Sequence, residues 1–227
     1  MKTQGKLALK ILGLDSSAIA ASCAVVEKGS EATPKILASG FINMKITHSQ
    51  TLMPLVESML KSAGLTLNDI DCFAVSNGPG SFTGLRIAVS AVKAMAFATD
   101  KPVCGVSTLE SLAYNLLGQD CTACPTMDAR REEVYNAIFD IKGDKVTRLT
   151  PDRAISLEDL RAELSQYSNV IFVGDGAHLA GTPAAEQLRW QSAVSVCMAA
   201  KEFINAKELM PVYIRKPQAE REREEKS

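Results

Sequence analysis

The sequence predicts an α/β protein built as two related lobes, each a mixed sheet flanked by helices. Three observations lead there. Strand hairpins followed by helix, strand and helix occur once in each half of the chain. The segment Ser76-Asn77-Gly78-Pro79-Gly80-Ser81-Phe82-Thr83-Gly84-Leu85-Arg86 is a glycine-rich turn that leaves a buried-type strand and opens a long apolar helix. Hydrophobic residues make up 46% of the 227, enough for a substantial core without disulfides or a structural metal. We expect lobes at 1–105 and 106–227.

In chain order, Lys6 to Leu14 and Ala20 to Glu27 read as strands joined by Asp15-Ser16-Ser17, and Lys35 to Asn43 completes an antiparallel meander. From Ser49 to Ala63 the apolar residues Leu52, Leu55, Val56, Met59, Leu60 and Ala63 recur at three and four, the helical period, with Gly64 as the stop. Asp71 to Ser76 is a strand, and Ser81 or Thr83 can cap the helix that runs over about Leu85 to Ala98. Val103 to Val106 is a short strand, followed by a helix over Thr108 to Leu117. Past Gly118, Cys121 to Asp128, Glu133 to Ile141 and Lys145 to Leu149 read as strands. Ser156 caps a helix, Val170 to Val173 is a buried strand, and Ser192 to Asn205 is the last helix.

Only Arg86, Ser90 and Lys93 interrupt the apolar surface of the helix over 85–98. Such a helix wants burial on two sides, one against its own sheet and one against a further element or another chain. The expected interface takes Leu52, Met53, Val56 and Leu60 from the preceding helix and Leu85, Val89, Val92 and Met95 from this one.

Charge and composition narrow the function classes. Lys plus Arg total 25 against 26 Asp plus Glu, so no basic surplus marks a nucleic-acid footprint. The apolar run near the N-terminus, broken by Lys10, is too short for a membrane span or a signal peptide, and a cytoplasmic protein without membrane contact is expected. The six cysteines lie mostly inside apolar stretches and read as small buried hydrophobes. Cys121 and Cys124 form a Cys-x-x-Cys pair, but His48 and His178 stand far away in sequence, leaving zinc short of ligands. The glycine-rich turn matches neither the P-loop nor the dinucleotide fingerprint. Anion binding at its helix N-terminus and a tight strand-to-helix connection are both open.

One ordered set of motifs adds to this: the strand ending in Asp15-Ser16-Ser17, His48-Ser49-Gln50-Thr51-Leu52-Met53-Pro54, Asn77 to Arg86, and Met127-Asp128-Ala129-Arg130-Arg131. With Pro211-Val212-Tyr213-Ile214-Arg215-Lys216-Pro217 near the end, the chain resembles the YeaZ (TsaB) family of bacterial tRNA threonylcarbamoyladenosine biosynthesis proteins over nearly its whole length. The resemblance implies the two-lobed actin, sugar kinase and Hsp70-like (ASKHA) fold. It implies an assembly with a catalytic homologue, TsaD, and a P-loop ATPase, TsaE, that modifies the adenosine beside the anticodon, with tRNA met only through the complex. It also implies that the chain self-associates as a homodimer through the surface that meets TsaD.

The resemblance further implies that the catalytic relative carries His-x-x-x-His on the helix after the strand over 103–106. Here the matching positions are Thr108 and Leu112, and neither can replace an imidazole on a metal. The expectation is therefore a non-catalytic subunit with no cofactor of its own. Superfamily members place an acidic residue near the phosphates at the end of the first strand, which makes Asp15, Ser16 and Ser17 candidate nucleotide contacts and ATP a candidate ligand. The competing readings are an autonomous ATP-dependent enzyme of the sugar kinase type and a metalloprotease. The protease lacks His-Glu-x-x-His, and His48 reads as a helix-start contact. Asp128-Ala129-Arg130-Arg131 is a candidate inter-lobe salt bridge or partner contact, and the tail over 219–226 alternates in sign as a solvated end does.

Overall fold

The computed structural model describes residues 8–29, 34–44, 46–130, 132–182 and 184–215. Arg131 and the charged tail lie outside these residues. The chain runs β1 (Leu9–Asp15), β2 (Ala21–Lys28), β3 (Lys35–Ile42), α1 (His48–Ser62), β4 (Cys72–Gly78), α2 (Phe82–Thr99), β5 (Val103–Ser107) and α3 (Thr108–Ala113). It continues through β6 (Cys121–Arg130), β7 (Glu133–Asn136), β8 (Phe139–Lys142), β9 (Lys145–Arg148), β10 (Arg153–Ser156), α4 (Leu157–Leu164), β11 (Val170–Val173), α5 (Glu186–Arg189) and α6 (Ala193–Ala199).

Among the described residues there are two sheets. The first has the order β3-β2-β1-β4-β5, with the antiparallel meander β1–β3 extended by parallel β4 and β5. In the second, β6 pairs β11 in parallel along one edge and antiparallel β7 and β8 along the other. The parallel pair β6 and β11 repeats the pair β1 and β4, which is the two-lobed, ASKHA-like arrangement the sequence predicts.

The sequence reads Glu133 to Ile141 as one strand; the structure divides it. Thr126 stands opposite Asn136 and Ala123 opposite Phe139, so the register is unchanged across the break. Pro125 falls at the break and has no N–H for the ladder. The buried Asn136 side chain donates to the Pro125 carbonyl at 2.9 Å instead.

Helices α1 and α2 cover one face of the first sheet through Leu52, Leu55, Val56, Val89, Val92 and Met95 packed on Leu14, Cys23 and Phe73. The other face is covered by α6, whose Val196 and Cys197 pack on Ile11, Ala24 and Val26. The last helix was expected to reach Asn205, in the second half of the chain. It ends at Ala199 and returns to the first sheet, where the Lys28 ammonium accepts its loose end by donating to the carbonyls of Met198 and Ala200 at 2.6 and 3.0 Å. Burial pushes the Lys28 pKa down. All six cysteines are free and buried. Of the described helices, α2 is long and apolar enough to cross a membrane, yet its inner face is packed into this core.

Candidate functional site

Asp15 ends β1 inside the protein. Its Oδ1 accepts from the Ser17 amide and hydroxyl, both at 2.9 Å, which closes a turn on itself. Burial pushes the Asp15 pKa up; the Ser76 hydroxyl opposes the rise without reaching hydrogen-bond geometry, so Oδ2 is left unpartnered. The Ser16 hydroxyl donates to the Gly84 carbonyl at 2.9 Å. The three candidate nucleotide contacts are thus brought together, but their hydroxyls and one carboxylate oxygen are spent inside the fold.

The glycine-rich turn explains this. A side chain at Gly80 or Gly84 would overlap the carbonyls of Ser17 and Ser16, so both glycines are required by close packing of the turn on the β1–β2 loop. The Ser81 amide donates to the Ser17 carbonyl at 2.6 Å, and the Ser81 hydroxyl accepts from the Gly84 amide at 3.3 Å as the cap of α2. His48, at the start of α1, meets the Ala18 carbonyl at 2.8 Å through Nε2, the helix-start contact expected of it.

This corner borders a cleft of about 580 Å³ between the sheets, lined by Ser81 and Thr83 on one side and Met127, Asp128, Arg130 and Asp175 on the other. Burial, reinforced by the Asp128 charge, pushes the Asp175 pKa up to about 6, and its Oδ1 has no partner. Asp128 turns back on its own loop, accepting from the Arg130 amide at 2.6 Å. An ion pair beside this loop comes from the end of the described chain. Arg215 pairs with Glu133 and donates to the Ala129 carbonyl at 3.1 Å. Just before it, Tyr213 stacks on Phe82 at 4.8 Å, and the Val212 amide donates to the Asn77 carbonyl at 2.6 Å. The segment over 209–215 is a strap from the start of α2 to the second sheet.

Thr108 and Leu112 are both fully buried in α3. His178 is exposed, its Nδ1 against the Asp175 carbonyl at 2.8 Å.

The expected partner face divides residue by residue between the core and the surface. Leu52, Val56, Leu85, Val89, Val92 and Met95 are buried in this chain's own core, because positions three and four apart on an amphipathic helix all face the sheet. Leu60 is half-buried, and Met53 is 47% exposed. An open groove between α1 and α2 is lined by two of the expected residues, Met53 and Met95, together with Ser49, Phe82, Arg86, Ile87 and Ala94, and Phe97 on α2 is 55% exposed. The sequence signal for these residues was present, since a helix apolar all round has an outer face as well as an inner one. Tyr213 and Arg215 belong to the motif over 211–217, but their contacts, like those of Asp175, arise from segments far apart in sequence.

Comparison with known proteins fits this geometry. The pattern of the family described as TsaD, tRNA N6-adenosine threonylcarbamoyltransferase, matches residues 35–222. The tRNA threonylcarbamoyladenosine biosynthesis protein TsaB of Bacillus subtilis strain 168 is 30% identical, over 93% of this chain and 96% of its own. TsaB of Haemophilus influenzae is 35% identical over 56% of this chain and 52% of its own. The solved structure of YeaZ from Pseudomonas aeruginosa superposes with a TM-score of 0.77 at 27% identity, covering 90% of this chain and 99% of that one. The match to TsaB over nearly the whole of both chains agrees with the shared fold of YeaZ, and the chain belongs to the TsaB (YeaZ) branch of the TsaD family.

Proposed function

We propose that this chain serves tRNA threonylcarbamoyladenosine biosynthesis as a non-catalytic subunit, presenting the α1/α2 groove to its catalytic homologue TsaD. The observation that carries the reading is the pairing of that exposed apolar groove with Thr108 and Leu112, which give the chain no imidazole where the relatives' metal site is implied. TsaE joins the assembly, tRNA is met through the complex, and in TsaD's absence the same groove pairs two copies of this chain. The reading places the protein in the cytoplasm and assigns it no cofactor. Nucleotide binding at Asp15, Ser16 and Ser17 gains no support from groups already committed to the turn.

Two measurements test it. Reconstituted tRNA modification is expected to require the chain, while the chain alone modifies nothing; activity without it overturns the reading. Met53→Glu and Ala94→Glu put charge on the exposed groove and are expected to abolish co-purification with TsaD while leaving the melting temperature within a few degrees. Retained co-purification by these folded variants would exclude the groove. Val92→Glu is the contrasting control, because it places a carboxylate in the core and is expected to cost several kcal/mol of stability.

A further inference from the structure

The first sheet ends on β3, whose outer side pairs with no strand. Among the described residues, no backbone hydrogen bond joins β3 to any element other than β2. The outward N–H and C=O groups of such an edge are a template for another strand, and folded proteins usually guard them with charge, proline or a bulge. Here the guards stand at one end. Lys35 opens the strand, and Leu37 is the extra residue of a bulge, because Val26 lies opposite Ile36 and Val25 opposite Ala38. From Ala38 to Ile42 the edge carries neither charge nor proline.

Register fixes the face each β3 side chain takes, since residues opposite one another in a ladder point the same way. Ile36 lies opposite Val26 and Ser39 opposite Ala24, and both partners belong to the core under α6. Phe41 lies opposite Ser22, whose hydroxyl donates to the Gln191 carbonyl at 3.3 Å and accepts from the Ala193 amide at 2.9 Å on that same side. Ile36, Ser39 and Phe41 therefore share the α6 face, while Leu37 and Ile42 pack into the core under α1. Ile36 is 53% exposed and Phe41 49%.

Two antiparallel copies of one strand, related by a two-fold axis, must set one residue opposite itself. With Ser39 on the axis, Ala38 meets Gly40 of the second copy and, past the bulged Leu37, Ile36 meets Phe41 of the second copy. The two exposed apolar residues of each edge then cover one another on one face. With Ala38 or Gly40 on the axis instead, Ser39 would stand against Ile36 or against Phe41. We propose that β3 is a self-association edge, through which two copies of this chain join their first sheets antiparallel about Ser39, Ile36 of each packed on Phe41 of the other. Helix α1 covers β2 and β3 while α2 covers β4, so this edge lies beyond α1 from α2. The contact leaves the α1/α2 groove open and does not depend on what docks there.

A strand pair of 8 residues a side is a small interface, so association in the micromolar range is expected. Ser39→Cys tests the register, because only a cysteine on the axis meets its own copy, and the native cysteines are all buried. The full-length variant also carries Met53→Glu and Ala94→Glu, which take the groove out of any self-association. Under mild oxidation with diamide at submillimolar protein, it is expected to form a disulfide-linked dimer about tenfold faster than Ser168→Cys, an exposed control on the same background. Adding Ile36→Lys or Phe41→Lys, the kind of charge that guards natural edges, is expected to return the rate to that of the control and the sedimentation to that of a monomer. The proposal is overturned by cross-linking no faster than the control or by a rate that neither lysine changes. It is equally overturned by a dimer in sedimentation that Ser39→Cys does not cross-link, which would place another surface in the contact. The comparison with Ser168→Cys needs no lysine variant and decides the matter even if those variants do not fold.

Discussion

Asp175 is a carboxyl group the fold holds against its charge. Burial raises its pKa to about 6, while in the unfolded chain it titrates near 4, so ionisation favours unfolding. The sign follows: below the unfolded value the group is neutral in both states and costs nothing, and the penalty grows as pH rises from about 4 to about 6, reaching roughly 3 kcal/mol above that window. Asp175→Asn is therefore expected to stabilise the protein relative to wild type more at pH 7.5 than at pH 4.5, read as the difference between paired thermal melts. An equal difference at the two pH values would show that the wild-type carboxyl is not held near that pKa. The sequence shows Asp175 only as a turn residue between Gly174 and Gly176. Its environment comes from Asp128 on another strand and Arg189 on another helix, neither adjacent in the chain. Asp15 differs in this respect. Asp followed by Ser-Ser already announces a self-closing turn, and that is the structure it makes.

The most legible element is α2, which the sequence places over about 85–98 and the structure extends to Phe82–Thr99 through its Ser81 cap. The direction of its faces was harder to read. Apolar residues surround the helix, and only the sheet on one side decides that Val92 points inward and Ala94 outward. The turn before it carries a sharper expectation. Gly84→Ala adds a methyl group where the Ser16 carbonyl already lies, and neither backbone can withdraw without loosening the Ser16 bond to residue 84. A loss of about 1–3 kcal/mol in urea unfolding is expected, although alanine is ordinarily the better helix former. Alanine improving stability at 84 would mean that this contact is looser than the structure shows. The split of 133–141 at Pro125's partner was visible only in part, because a proline weakens a ladder at a place set by register, and register is a property of two strands.

At the scale of the whole molecule, the strap over 209–215 joins the start of α2 to the second sheet. Tyr213→Ala combined with Arg215→Ala removes the ring stack on Phe82 and the ion pair with Glu133, and a stability loss of about 1–3 kcal/mol is expected, with faster proteolysis of the cleft loops. Unchanged melting and proteolysis would show that the lobes hold together without the strap. The helix just upstream has a different consequence. Because α6 is drawn from residues 193–199 but closes the first sheet over β1 and β2, that sheet keeps one greasy face bare while the ribosome is still making the second half of the chain. The first sheet is thus completed only after every strand of the second has been made, and until then Lys28 has no helix end to hold.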